Sequence, residues 1–600
     1  MSLTSQKRSE DFLKISSQFK LGALVTESSH PVTANLSDVA KDNTAAALKL
    51  LFEADGDVIQ KFRDFVKTGN AERIRQTVLE SLKNGGRIFF TGCGSTGRLS
   101  ILLDSVWRDF WRRQTPASRG AAPADSENRT FSVMAGGDFA LIKSVEGFED
   151  FTAFGKRQIA DLGVSSKDVV FAITEGGETS FVIGTAWQGV EAKAKVYFVY
   201  NNPDDILCEH VQRSREVIDE PRIEKINLTT GPMSITGSTR MQATSIQLAV
   251  MLTVLEMVAR ELIGRGDAAV VPGQFLSALE NAHTALNSPE VLNALAGLVA
   301  LEESTYRSGH KNSYFADRFG IDVLTDTTER SPTYCTPPFR KFDDKNASES
   351  WAYLFLPQTE TTAAWEQILK RPARCVEWGE ADVRKLIGED ALGRTMETIR
   401  KISRAELMRF KIGLDGLPYR ILKNGDCAVA VMSETEKDSI MPPTGFFRAQ
   451  LNAARAAGAK TSWIYFGTSP MDGLPPATNT VFVPVPETGF LLDGVTRVAV
   501  KLVMNALSTC TMVRLGRVMG NTMIWLVPSN LKLIDRSTRY ISKLTGLDYA
   551  PANQLLFEVI EYVEPRMKSD RAYPPVVGVS VLRTKERLTN EEAEKRLIGS

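Results

Sequence analysis

The sequence predicts an α/β fold built twice: two successive units, each a parallel sheet flanked by helices, followed by a helical cap. Three observations carry that expectation. From about residue 70, short apolar runs alternate with amphipathic stretches, the pattern of a parallel sheet covered on both faces. Several of those runs end in loops rich in glycine and hydroxyl residues. Two long apolar stretches, "GSTRMQATSIQLAVMLTVLEMVARELIG" and "TRVAVKLVMNALSTCTMVRLG", close successive segments of similar length, as an internal duplication would.

The elements follow in chain order. Residues 1–55 read as an arm and a short helix, with "AAALKLLFEADGDVIQKFRDFV" amphipathic at helical spacing. The first unit, 56–285, holds a helix over 72–83, a strand over 87–90 and the loop "TGCGSTGRLS" running into a helix over 96–110. "RRQTPASRGAAPADSENRT" reads as an exposed loop. Strand "FSVMAGGD" precedes a helical stretch containing "SVEGFEDF". Strands "DVVFAIT" (168–174) and "KVYFVY" (195–200) run into "EGGETS" and "NNPDD". The second unit, 286–515, has candidate strands "NSYFA", "CAVAVMS", "TSWIYFG" and "TVFVPV". The cap, 516–600, is helical, with an apolar "PPVVGVSVL" and a final amphipathic "NEEAEKRLIG".

Composition narrows the functional classes. Six hundred residues exceed one hydrophobic core. Lys plus Arg and Asp plus Glu both number 72, so no basic excess points to nucleic acid or an anionic membrane. The greasiest stretch, 248–259, is too short to span a bilayer and carries Glu256, so it reads as a buried helix. Six cysteines form no CxxC pair, which points away from zinc and disulfides and suits a reducing cytoplasm. None of the four histidines lies beside a candidate motif, so acid–base chemistry would fall to carboxylates or lysines, with no metal or cofactor.

The loops carry the chemistry. In "TGCGSTGRLS" a glycine turn opens a helix, whose free amides and dipole attract an anion; Gly94, Ser95 and Thr96 are the candidate donors. A dinucleotide reading needs an acid on the next strand's end, and about 20 residues on there is none. The hydroxyl content and the second loop, "TEGGETS", favour a single phosphoryl group. In the third, "TTGPMSITGSTRMQ", Ser238 and Thr239 precede a helix that either would cap, and Arg240 would pair with phosphate or form a salt bridge. Glu175 and Glu178 resist this reading, since a carboxylate about 4 Å from phosphate costs roughly 4 kcal/mol per charge pair at an effective dielectric near 20. Either Arg98, Arg240 or a lysine compensates, or Glu178 reads a sugar hydroxyl or amine, or both glutamates face solvent.

Together, "LVTESSHPVTANL", "TGCGSTGRLSIL", "AGGDFALIKSVEGFED", "GPMSITGSTRMQATSIQ", "KLVMNALSTCTMVRLGRVMGNTMIWLVPSNLKL" and "LTNEEAEKRLIG" resemble the SIS (sugar isomerase) family of phosphosugar-binding domains. Within it they are similar to the N-acetylmuramic acid 6-phosphate etherases and the glucokinase regulatory proteins. The resemblance implies two tandem flavodoxin-like SIS domains with a helical lid. It implies a hexose or amino-sugar phosphate held at the interface of the two units. Ser95, Thr96, Thr174, Glu178, Ser238 and Thr239 would line the site, Lys501 would reach the phosphate and Glu146 the sugar. A regulator of this kind implies a sugar-kinase partner. Etherase chemistry, the alternative, needs a base and an acid. One matches Glu146; the other falls on Val106, which moves no proton, so Glu329 of the second unit would have to replace it. Gln242 stands where the etherases carry lysine. Phosphosugar isomerisation is a further alternative, weakened by the lack of a placed histidine. The second unit's "FADRFG" lacks the glycine–hydroxyl pattern, so one phosphate site per chain is expected.

Overall fold

The computed structural model describes residues 3–16, 20–120, 122–145, 147–528, 530–566 and 574–598. Two five-stranded parallel sheets organise it. The first comprises β1 (Ile88–Gly92), β2 (Thr130–Met134), β3 (Val169–Ile173), β4 (Lys195–Tyr200) and β5 (Ile223–Asn227), in the order β2-β1-β3-β4-β5. The second comprises β6 (Asn312–Phe315), β7 (Ala352–Phe355), β8 (Cys427–Ser433), β9 (Lys460–Gly467) and β10 (Asn479–Pro484). Read from its other edge, its order is β7-β6-β8-β9-β10, the same topology repeated. The internal duplication is therefore structural as well as sequential.

The strands are short, apolar and buried on both faces, as parallel strands under crossover helices must be. Aromatic neighbours set the register of the first sheet: Phe89 stacks on Phe131, Phe90 on Phe171 and Phe171 on Tyr197, with centroids 5.2, 5.7 and 5.1 Å apart. Between the units, the helices Thr44–Lys67, Gln242–Ile263 and Gly494–Arg514 pack on one another. Glu256, in the middle of that packing, accepts Leu491 N–H and Leu492 N–H of the second unit and Arg260 Nε. Those donors explain an acid inside an apolar helix. Among the described residues no helix is long and apolar enough to cross a membrane.

Several elements depart from expectation. "SVEGFEDF" is not helical: a 3-10 turn spans Asp138–Leu141, turns follow, and the helix starts at Thr152. Strands β5 and β7 went unmarked because "IEKIN" mixes in charge and "AYLF" is only four residues long. The 112–130 loop is pinned at its end, where Trp107 Nε1 donates to the Ser126 carbonyl and Arg108 to that of Thr130. The C-terminal helices are Leu531–Thr545, Tyr549–Val563, Val576–Lys585 and Asn590–Ile598. The chain's first helix, Leu3–Ile15, lies on them: Phe12 packs on Phe557, and Ser9 Oγ donates to Asn553 Oδ1 at 2.7 Å.

Candidate functional site

A cavity of about 320 Å³ opens where the ends of β1 and β2 meet the second unit and the cap. Such crevices beyond the carboxyl ends of parallel strands are where ligands bind in open α/β sheets. Gly94 and Ser95 of the first loop form one wall and Ser238 and Thr239 of the third another. Gly94 sits at φ +54, with nothing within 4 Å of where a Cβ would be, so its backbone is open to an incoming group. Glu329, on the second unit's helix Gly320–Tyr334, comes across the unit boundary to the same cavity.

Thr96, Thr174, Glu178 and Lys501 are not among the residues that line the cavity. Thr96 turns back on its own loop, accepting Cys93 N–H at 3.1 Å and donating to the Cys93 carbonyl at 2.9 Å, which closes the first helical turn. Thr174 is fully buried against Thr179. Glu178 accepts from Lys532 and Arg213. Lys501 crosses from the second unit to the third loop, but its Nζ donates to the Arg240 carbonyl at 2.9 Å, behind the cavity wall. Glu146 lies outside the described residues. Neither Ser238 nor Thr239 caps the helix Gln242–Ile263. Met241 holds the cap position, and the Thr239 carbonyl, not its hydroxyl, accepts the Thr244 N–H and hydroxyl.

The electrostatics resolve the difficulty posed by the second loop. Both glutamates are buried, not solvent-facing. Burial works against the Glu178 carboxylate, but Lys532 and Arg213 outweigh it and bring the carboxyl down to about 2. Burial pushes Glu175 up to about 7, with the Glu329 and Glu178 charges adding to the effect. One glutamate is thus neutralised by cations and the other is partly protonated near pH 7. Glu329 pairs with the fully buried Arg98 at 2.6 Å, and Arg240 with Asp326 at 3.4 Å while donating to Ser508 and Thr509. Among the described residues, Arg98 Nη2 and Arg240 Nε are buried without hydrogen-bond partners. Burial and the neighbouring Arg240 charge push Lys501 down to about 8, against the pull of Glu329, Asp326 and Asp55.

Sequence reasoning missed part of the lining. Glu149 shares a motif with Glu146 but was passed over. It is half-buried in the cavity wall, accepts Cys93 Sγ–H and Asn530 Nδ2–H at 3.4 Å each, and has no ion-pair partner among the described residues. Burial holds its carboxyl above the usual range. The cap helix Leu531–Thr545 brings Asn530, Leu533 and Arg536 to the same wall. The basic, amphipathic "NLKLIDRSTRY" was the available signal.

The second unit's counterpart is filled. Where its first loop leads into Gly320–Tyr334 there remains only about 10 Å³, among Asp109, Asp317, Arg318, Lys370 and Arg497. Arg318 pairs with Asp493, Lys370 with Asp109 at 2.9 Å, and Arg497 with Asp322.

Comparison with known proteins identifies the relatives of this chain. The profile of the glucokinase regulatory protein N-terminal SIS domain matches residues 71–188. The N-acetylmuramic acid 6-phosphate etherases of Yersinia pestis (strain Pestoides F) and Yersinia pseudotuberculosis (serotype O:1b) are each 31% identical over 231 residues, 38% of this chain and 69% of theirs. Among solved structures, a putative tagatose-6-phosphate ketose/aldose isomerase from Clostridium novyi NT superposes with a TM-score of 0.42 at 8% identity, covering 82% of this chain and 97% of that one. The doubled sheet, the glycine–hydroxyl loops and the etherase relatives agree: this chain belongs to the SIS-domain family that includes those etherases.

Proposed function

We propose that this protein binds a hexose or amino-sugar phosphate and acts as a regulator of the glucokinase-regulatory-protein type, with a sugar kinase as its partner. The observation that carries this reading is the cavity in which Gly94, Ser95, Ser238 and Thr239 of the first unit face Glu329 of the second. Backbone amides at a helix start and paired hydroxyls suit a phosphoryl group. Glu149, with no ion-pair partner among the described residues, suits sugar hydroxyls or an amine. Because the cavity spans two units and the cap, a ligand with higher affinity for one arrangement of these parts shifts their equilibrium toward it. Domains at 56–285 and 286–515 with a cap from 516 are part of this proposal. The six free thiols fit a reducing cytoplasm.

A second reading, lactyl-ether cleavage, is favoured by the etherase relatives and by Glu329 at the cavity. Against it, Val106 is buried where the second acid–base group is expected, and Glu329 is tied to Arg98. Two measurements separate the readings. Thermal shift against fructose 6-phosphate, fructose 1-phosphate and glucosamine 6-phosphate is expected to show stabilisation that Ser95→Ala/Ser238→Ala loses. Incubation with N-acetylmuramic acid 6-phosphate is expected to release no lactate; release at a catalytic rate would replace the regulator with the lyase.

A further inference from the structure

The family resemblance implies Lys501 as the cation facing the phosphoryl group, yet its ammonium donates to the Arg240 carbonyl. Arg240, which also lines the cavity, gives Nη1 to Asp326 and Nη2 to Ser508 and Thr509, and only its buried Nε has no hydrogen-bond partner among the described residues. The cap supplies another guanidinium at the cavity wall, Arg536. Glu27, a buried residue of the N-terminal arm, accepts from Arg536 Nε at 3.0 Å and from Nη2. Arg536 Nη1 makes no hydrogen bond among the described residues and is not sealed from solvent. The third loop is pressed against the same cluster. A Cβ on Gly237, at φ +69, would stand 3.2 Å from Arg536 Nε, 3.1 Å from Glu27 Oε2 and 2.5 Å from Tyr540 Oη. Ser238 and Thr239 follow directly in the chain, and Tyr540 Oη donates to the Thr236 carbonyl.

We infer that Arg536, held edge-on by Glu27, is the cationic ligand-binding residue for the phosphoryl group, so that the cap forms part of the phosphate cradle. The inference rests on the phosphosugar reading of the cavity. An arginine suits this place because its planar fork serves Glu27 along one edge and leaves a nitrogen for a phosphate oxygen. Docking of the cap and binding of the anion are then one equilibrium: the ligand gains a charge-assisted contact only when the helix Leu531–Thr545 is seated.

The test is calorimetric titration of the full chain with inorganic phosphate and with fructose 6-phosphate. Removing a charge-assisted hydrogen bond is expected to weaken both probes by roughly 10- to 100-fold in Arg536→Gln. That substitution leaves Glu27 buried without its closest cation, so the Glu27→Gln/Arg536→Gln double variant, which leaves no lone carboxylate, is measured beside it and is expected to show the same loss. Arg536→Lys, keeping charge without the fork, is expected to recover part of the affinity. Phosphate is also expected to slow amide hydrogen exchange across 531–545 in the unmodified chain. Wild-type affinity in the folded double variant, with Ser95→Ala still weakening binding, would overturn the role given to Arg536 and leave the cavity reading intact. Failure of the unmodified chain to bind either probe would overturn both.

Discussion

Asp55 is a carboxyl buried on the helix Thr44–Lys67, accepting among the described residues only Gln242 Nε2–H, at 3.3 Å. Burial pushes it up to about 8, even though Lys501 pulls the other way. The folded state therefore holds this proton more tightly than the unfolded chain does. Stability from this group is fully present below its ordinary value near 4 and is lost as pH rises toward 8. Asp55→Asn keeps an acceptor for Gln242 and removes the linkage. Its melting temperature is expected to exceed that of the parent at pH 8, with the gap closing toward pH 4.5, as scanning fluorimetry at several pH values would read. Glu178 behaves oppositely. Its carboxyl is held at about 2, so its contribution is present above pH 4.5 and fades as pH falls toward 2. Glu178→Gln leaves the half-buried Lys532 without its carboxylate partner, and denaturant melts are expected to show a loss of about 1–3 kcal/mol. Glu178→Gln/Lys532→Met is expected to recover much of it.

The cap helix Leu531–Thr545 is held by acids from three separate segments. Asn530 at its start touches Glu149, Lys532 bonds Glu178, and Arg536 and Arg539 share Glu27. Glu149 comes from a loop that lines the cavity, Glu178 from the turn after β3, and Glu27 from the N-terminal arm. The helix therefore reads the arrangement of segments far apart in sequence. Gly237 is the tightest point of that docking. Gly237→Ala places a Cβ 2.5 Å from Tyr540 Oη in a left-handed backbone that costs an L-residue about 1–2 kcal/mol. Limited proteolysis is expected to cut the 531–598 region faster in this variant, with weaker phosphate binding. The second unit's helix Gly320–Tyr334 shows the opposite outcome for a strand-end loop. Its pocket is occupied by its own ion pairs, and it lends Glu329 to the first unit's cavity instead.

Across the molecule, buried charge pairs join the two units. Arg371, in the connection between β7 and β8, bonds Asp138 at 2.6 and 3.0 Å, Asp104 at 3.1 Å and Ser132 at 2.8 Å, all from the first unit. Cys375 bridges to Gly137 in antiparallel fashion, and Trp378 stacks on Phe148 beside the "VEGFED" motif. Arg98–Glu329 and Arg240–Asp326 add two more ties near the cavity. Arg371→Ala leaves the buried Asp138 without its ion-pair partner, while Asp104 keeps Arg108, and is expected to cost about 3 kcal/mol. Calorimetry is expected to show both sheets melting earlier in one transition. A first-unit transition that stays in place while the second moves would show that the units unfold independently.

Much of this architecture was readable from residue order, because it depends on local periodicity and loop chemistry. Apolar runs of four to seven residues alternating with amphipathic helices specify parallel sheets wherever they occur, and the repeat of that rhythm announced the duplication. A glycine–hydroxyl turn at a strand end exposes amides whatever surrounds it, so Gly94 and Ser95 were identifiable, as were Ser238 and Thr239. Side-chain direction and charge pairing across hundreds of positions were not readable. Thr96 closes its own helical turn, Glu178 answers Lys532 some 354 residues away, and Lys501 stops at a backbone carbonyl. Arg536 reaches the cavity because Glu27, 509 residues earlier in the chain, holds it there. Hydrophobic spacing is written within a few turns of chain, whereas a buried charge takes whichever partner the assembled fold brings within 3 Å. The sequence alone therefore determined the scaffold and its open loops, and the assembled packing chose which charged groups face the cavity.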